Sequence, residues 1–471
     1  MSFLKMAQRN LWRNKRRTAI TVSSIFFAVL LAVVMRSFQL GTYSLMIKNA
    51  IEQYYGFIRV QHPDYTFDPS LDNTIDYDSS IIEQIANIPN VKSITSRLET
   101  FALASSGNIT KGVLVIGIDI NKEKAFSNPE QFIAHYIINK DAANSVISRF
   151  NVTDEIADIL KGNIGTAFVD STKLVSIFDD LPITLEAVKE ILKLSKIEGQ
   201  FLTPNDNGVV ISSRLAKFLN AQVGDSLILL SQGYHGSSAA GLYPIRGIVR
   251  IPNPELDNRL VYMPINQTQE FTSAYNKIAY YAINLDNTSD EMLTATNDSI
   301  SKLLMGSELE SKTWKELNKV LVQQIESDNQ SGKIFLFLLY FVVFFGIFGT
   351  VVMMIHERIH EFAVLISVGM QRSKLFLTIF LEMLIMALIG IALGYVVGLP
   401  IIHYYNIHPI RLTGELAKWM MDMGFEPLMP MAPFGSYITW QGVSVFLMVL
   451  LASIYPLRKI SKLKVAESIK R

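Results

Sequence analysis

The residues best placed to do chemistry are His356, Glu357 and His360, which spell HERIH. This satisfies H-E-x-x-H, in which two histidines one helical turn apart bind zinc and the glutamate acts as base. At the end of an apolar helix it suggests an intramembrane metalloprotease. Catalytic zinc needs a third protein ligand. No further histidine lies close in sequence, and His403 and His408 fall at the far end of the next apolar run. Residues 233–241 contain glycines but lack the Gly-Lys-Ser/Thr ending of a phosphate loop, so a turn is the reading. Glu382 stands alone among apolar residues. An acid within a bilayer is costly and often functional, although pairing with a neighbouring helix also accounts for it. With Cys at 0, thiol nucleophiles, Cys-ligated zinc and iron–sulfur clusters are excluded.

The elements that must position these residues are set by hydropathy. Hydrophobic residues make up 49% of the 471, and charged residues only 18%, against roughly 25% in a soluble domain. A membrane span needs about 20 mostly apolar residues. Four runs qualify, near 19–35, 334–355, 375–402 and 437–455, and a glycine series (Gly390, Gly394, Gly398) in the third permits close helix approach. The first run is too long, and lacks the small-residue site, for a signal peptide. The fold class expected is therefore a membrane protein, α-helical with four transmembrane helices, plus a large mixed α/β extracytoplasmic domain between helices 1 and 2.

Charge orients it. Residues 1–18 hold six basic residues and no acid, whereas 36–333 hold 26 basic and 35 acidic residues, a net of −9. The net charge of +1 argues against nucleic-acid binding. The excess of Lys and Arg places both termini and the 356–374 loop in the cytoplasm. The expected organisation is an amphipathic basic helix at 1–18, helix 1 with its extension at 19–51, the outer domain at 52–330, helix 2 at 331–355, a cytoplasmic segment at 356–374, helix 3 at 375–402, an outer loop at 403–436, helix 4 at 437–455 and a basic tail at 456–471. In the basic helix, Leu4, Met6, Ala7, Leu11 and Trp12 form one side; Arg9, Arg13, Lys15, Arg16 and Arg17 populate the other and serve membrane-surface binding or topology.

In the outer domain, 57–62, 113–120, 208–212, 226–232, 243–251, 259–264 and 277–285 read as strands. Those at 243–251 and 259–264 alternate as if partly exposed. Residues 80–87 and 288–304 read as helices, and 314–325 as an amphipathic stretch leading into helix 2. Residues 121–200 read as a helical insertion, with helices at 130–138, 141–149, 153–161 and 184–196. Residues 233–242 read as a hairpin tip. Sequons such as Asn108 and Asn151 matter only in a glycosylating cell.

Three segments carry a family resemblance. AQRNLWRNKRRTAITVSSI (7–25) resembles the opening of FtsX-like and MacB-like ABC-transporter permeases. HERIHEFAVLISVGMQRSKLFLTIFLEMLI (356–385) resembles their second signature, through Glu357, Arg358, Glu361, Phe362, Leu365, Gly369 and Arg372. YPLRKISKLKVAESIK (455–470) resembles the closing segment, with Val465 where proline is common and Ser468 where alanine is common. Residues 54–65, 209–230, 245–249 and 254–270 are similar to the lipoprotein-releasing (LolC/LolE-like) branch, whereas 121–200 departs from it. In that family the positions of His356 and His360 vary, which weakens the zinc reading.

The resemblance implies a permease rather than an enzyme. It binds no cofactor itself; ATP and Mg belong to separate ABC ATPase subunits, expected as a dimer. The seven residues of the second signature would form the coupling helix that docks on the ATPase, with Phe362, Leu365 and Ile366 as its apolar docking side. Further partners implied are a second permease subunit, identical or related, a periplasmic carrier or adaptor, and the lipid membrane. The work implied is extraction of lipid-anchored proteins, with Phe26, Phe27, Phe335, Phe337 and Phe341 facing lipid where cargo enters. Rival readings are efflux of amphiphilic small molecules or peptides, a transducer that activates a cell-wall hydrolase, and the metalloprotease.

Overall fold

The computed structural model describes residues 3–13, 15–150, 152–178, 181–412, 414–422 and 427–461. The basic tail beyond residue 461, with Val465 and Ser468, lies outside the described residues, as do Asn151 and the side chains of Leu4 and Lys5. The chain divides into two units: Met1–Leu45, Val320–Leu412 and Leu428–Arg471 form one, and Met46–Lys319 with Thr413–Pro427 the other.

The first unit is helical: α1 (Phe3–Arg13), α2 (Lys15–Ile47), α3 (Lys319–Glu357), α4 (Ile359–Ser367), α5 (Arg372–Ile407) and α6 (Ser436–Ser461). Among the described residues four helical stretches are long and apolar enough to cross a membrane: Lys15–Tyr55, Lys319–Glu357, Arg372–Ile407 and Ser436–Ile454. The glycine series of α5 lies against α2. A Cβ at Gly390 would sit 2.7 Å from Ile25, and one at Gly394 2.8 Å from Val29. Small residues are what let the two backbones come that close. Tyr395 of α5 donates to the Ile438 carbonyl of α6 at 2.9 Å. At the far end from α1, Tyr43 donates to Asp328 at 2.6 Å and Arg36 to Asn329 at 2.8 Å, joining α2 to α3.

The second unit is built on nine strands: β1 (Ile58–Gln61), β2 (Val91–Ser106), β3 (Ile109–Ile118), β4 (Val209–Ser212), β5 (Ser226–Gln232), β6 (Ser238–Val249), β7 (Leu260–Pro264), β8 (Tyr280–Leu285) and β9 (Glu310–Thr313). Their order is β9-β1-β8-β2-β3-β7-β4-β6-β5, and β5 pairs back onto β2 at Leu230–Leu103. Six strands thus close into a ring, filled by Val113, Val115, Val209, Ile211, Leu227, Leu229, Ile245, Val261 and Met263. Closure leaves no free edges among the ring strands. The pairs β3–β7 and β4–β6 run parallel.

Several expectations need correction here. The longest strand, β2, has no apolar signature, because its buried positions include Thr95, Ser96 and Arg97. Arg97 and Glu123 pair at 2.5 Å with both side chains fully buried. Strand β7 is buried along its whole length rather than partly exposed, being flanked by β3 and β4. The hairpin tip is shorter than 233–242, since β6 already begins at Ser238. The stretch from Trp314 breaks at Asn318 before α3 starts.

Within 121–200, helices at Lys140–Arg149, Asp154–Gly162 and Leu185–Ser195 share a core of Val146, Ile156, Leu160, Phe168 and Ile191. Residues 130–138 are not a helix. A short turn at Pro129–Phe132 gives way to extended chain, where Ala134 donates to the Ile248 carbonyl of β6 at 2.8 Å and Tyr136–Ile137 pairs with Ala167–Phe168. Pairing with existing strands offered this backbone better partners than its own turns.

Candidate functional site: the α4 segment and its ion network

The segment after α3 is shaped by two backbone features. At Arg358 the helix breaks (φ −101°, ψ 6°), so α3 and α4 are separate. At the other end Gly369 has φ +103°. The Gly369 N–H donates to the Ile366 carbonyl and the Met370 N–H to the Leu365 carbonyl, both at 3.0 Å. This is the Schellman closure, which requires a left-handed residue after the last turn and so favours glycine. The expected 356–374 segment is therefore not one helix: 356–357 end α3, α4 is only Ile359–Ser367, and Arg372 opens α5, exposed.

One face of α4 is fixed inward. Phe362 (1% exposed) and Ala363 are buried in the helical core with Leu375, Ile379 and Met383, and Leu365 and Ile366 pack half-buried against it. The side expected to dock outward thus faces the chain's own core. The short helix carries apolar residues on two sides, and packing buries Phe362 on one while leaving Val364 and Val368 exposed on the other. The outward face is His360, Val364 (49% exposed), Ser367 and Val368 (83% exposed). The signal that could have found it is the i, i+4, i+8 spacing of His360, Val364 and Val368, opposite Phe362 and Ile366.

A charge network holds α4 in place. Glu382 of α5 is 1% exposed and accepts from Arg358 Nη1 at 2.9 Å and from Asn10 Nδ2 of α1 at 2.7 Å. Arg358 is itself buried, and its Nε lies 3.4 Å from Glu361 Oε2. Arg13 of α1 pairs with Glu361, and Arg17 at the start of α2 pairs with Glu357. The network thus links α1, α2, the α3–α4 break, α4 and α5. Its buried member, Glu382–Arg358, satisfies each charge with an ion pair and each carboxylate oxygen with a donor, which is what a buried pair requires.

The remaining residues fall as follows. Arg9, Lys15 and Arg16 are exposed. Trp12, expected beside Leu11 on the apolar side, is 68% exposed while Ala7 and Leu11 are buried. Phe26 and Phe27 form one ring pair at 4.9 Å, with Phe26 half-buried. Phe337, Phe341 and Phe345 form a ladder along α3, all exposed, whereas Phe335, two residues before Phe337, is exposed on a different side of the helix. The zinc reading loses its geometry. His356 and His360 straddle the helix break, Glu357 is engaged by Arg17, and among the described residues no group of three His, Asp or Glu side chains is arranged to hold a metal.

Comparison with known proteins agrees with the helical end of the chain. Residues 333–465, which contain α4 and most of its network, match the family model described as FtsX-like permease C-terminal. No curated protein matches the chain. Among solved structures, the periplasmic region of MacB from Actinobacillus actinomycetemcomitans aligns at 11% identity over 59% of this chain and 95% of that one, with a TM-score of 0.31. The extracellular domain of the noncanonic ABC-type transporter YknZ from Gram-positive bacteria aligns at 11% identity over 54% of this chain and 99% of that one, with a TM-score of 0.28.

Proposed function

From an FtsX-like permease C-terminal domain at residues 333–465, we propose that the chain is the permease subunit of an ABC system in the bacterial inner membrane. Four helices span the bilayer, both termini are cytoplasmic, and the strand-rich domain lies outside. ATP and Mg2+ are held by a dimer of separate ABC ATPase subunits. A second permease subunit, identical or related, completes the membrane part.

The observation that carries this reading is the two-sided build of α4. Its Phe362 face is set into the helical core, while His360, Val364 and Val368 are left exposed beyond the apolar stretch of α3. An exposed apolar strip on a short, well-anchored helix suits insertion into a groove of the ATPase. Movement of that groove on ATP binding then passes through Arg358–Glu382, Arg13–Glu361 and Arg17–Glu357 to α5, α1 and α2. Glu357, Arg358 and Glu361 act on this reading as tethers, and Gly369 as the turn that lets α4 lie between two spans.

The cargo is proposed to be lipoproteins, or other lipophilic molecules, drawn from the outer leaflet and passed to a carrier or adaptor. The exposed Phe337–Phe341–Phe345 ladder offers a surface to acyl chains. The test is a release assay in proteoliposomes holding this chain, its ATPase and a triacylated lipoprotein. ATP-dependent transfer of the lipoprotein to a soluble acceptor supports the reading. Export of an amphiphilic dye without lipoprotein release points to efflux instead, and activation of a cell-wall hydrolase without either points to transduction.

A further inference from the structure

The five basic residues of the N-terminal arm do not share one role. Arg13 and Arg17 are taken up by Glu361 and Glu357. Arg9, Lys15 and Arg16 are exposed, and among the described residues none of them forms an ion pair. Residues 1–18 contain no acid that could neutralise them locally. Trp12 stands among them, 68% exposed, with Lys15 Nζ 5.7 Å from its ring centre. The opposite side of α1 is fixed: Ala7 and Leu11 are buried, and Asn10 bonds Glu382. Helix α1 therefore presents Arg9 and Trp12 away from the protein, and Lys15 and Arg16, exposed at the start of α2, adjoin them through the Lys15–Trp12 contact.

Position adds to charge. The uncharged run of α2 begins at Ala19, so Lys15 and Arg16 precede it by only about 5–6 Å of helix. Tryptophan and basic residues at that level face the headgroup layer, where one needs an apolar body with a polar edge and the other a counter-charge.

We propose that Arg9, Trp12, Lys15 and Arg16 form a binding face for the headgroups of anionic phospholipids. Arg9, Lys15 and Arg16 supply the charge, and Trp12 the interfacial anchor. A basic residue at an anionic surface contributes about fivefold in affinity, so three give roughly a hundredfold preference over a zwitterionic lipid at moderate salt. Because Arg13 and Arg17 on the same arm hold the α4 segment, headgroup occupancy sits next to the tether. The proposal rests on the membrane-spanning reading and not on the identity of the ATPase or the cargo.

The full chain with Trp314→Phe, Trp419→Phe and Trp440→Phe leaves Trp12 as its one tryptophan. Reconstituted into nanodiscs, it is quenched by phosphatidylglycerol or phosphatidylcholine brominated on the acyl chains. Stronger quenching by the phosphatidylglycerol is expected, diminishing as salt rises. The excess should vanish in Arg9→Gln/Lys15→Gln/Arg16→Gln and persist in Lys140→Gln/Lys161→Gln/Lys193→Gln, which removes equal charge from exposed sites elsewhere. Native mass spectrometry of the chain with all its tryptophans provides a second readout, in which the Arg9/Lys15/Arg16 variant retains fewer phosphatidylglycerol molecules. Equal quenching by the two lipids, or an excess that survives the Arg9/Lys15/Arg16 substitution in a normally melting protein, overturns the proposal.

Discussion

Replacing Glu382 by alanine tests whether the buried pair is the pin of the α4 segment. The carboxylate is 1% exposed and holds Arg358 Nη1 at 2.9 Å and Asn10 Nδ2 at 2.7 Å. Removing one partner of a buried pair costs about 3–5 kcal/mol, mostly because the other charge stays buried. Losing the acceptor of Asn10 adds about 1 kcal/mol. Arg358 keeps a weaker contact with the half-exposed Glu361 at 3.4 Å, which lowers the total to roughly 3 kcal/mol. The double variant Glu382→Leu/Arg358→Met leaves no buried charge and should recover most of that loss. Equilibrium denaturation of the full chain in detergent micelles reads both quantities, and the singles Glu382→Leu and Arg358→Met with their double close the double-mutant cycle. A coupling energy below about 0.5 kcal/mol, the usual scatter for independent sites, would refute the reasoning.

Other outcomes follow from single positions. Gly369 has φ +103° and nothing within 4 Å of its would-be Cβ, so Gly369→Ala should cost about 1–2 kcal/mol through the backbone alone, read by the same denaturation. Gly394→Ala, against Val29 at 2.8 Å, should destabilise by about 1–3 kcal/mol, whereas Gly346→Ala, facing open space, should stabilise by up to about 1 kcal/mol; thermal melting of the pair shows the opposite signs. Asp257 is buried, and desolvation raises its carboxyl above the usual range although Ser213 and Ile251 donate to it. The folded chain then binds that proton more readily than the unfolded one, so stability falls as pH rises from about 4 through the raised value, and Asp257→Asn should flatten the slope of melting temperature against pH.

The sequence was most legible where periodicity and composition speak for themselves. Uncharged runs marked the long helices, and the glycine series in α5 announced a close helix contact that Ile25 and Val29 supply. It was least legible where polar residues are buried. Strand β2 buries Thr95, Ser96 and Arg97, with Thr95 and Arg97 bonded to Glu123 and Arg97 also to the Tyr54 carbonyl, so no apolar pattern marks that stretch. Ring closure through Leu103 and Leu230 joins residues far apart in the chain. In the α4 segment, the family resemblance and residue types pointed to Glu357, Arg358 and Glu361, but not to their partners Arg17, Glu382 and Arg13, which come from other helices. Nor could they tell that Phe362 faces in and Val368 out.

The central claim is that α4 couples this chain to an ATPase through its outward face. The direct measurement is co-purification of the full chain with its ABC ATPase from native membranes, comparing wild type with Val364→Asp/Val368→Asp. Both side chains are exposed, so the variant should melt normally. The account predicts that the ATPase accompanies the wild type and is lost from the variant. An ATPase retained in equal amount by a well-folded variant would contradict it.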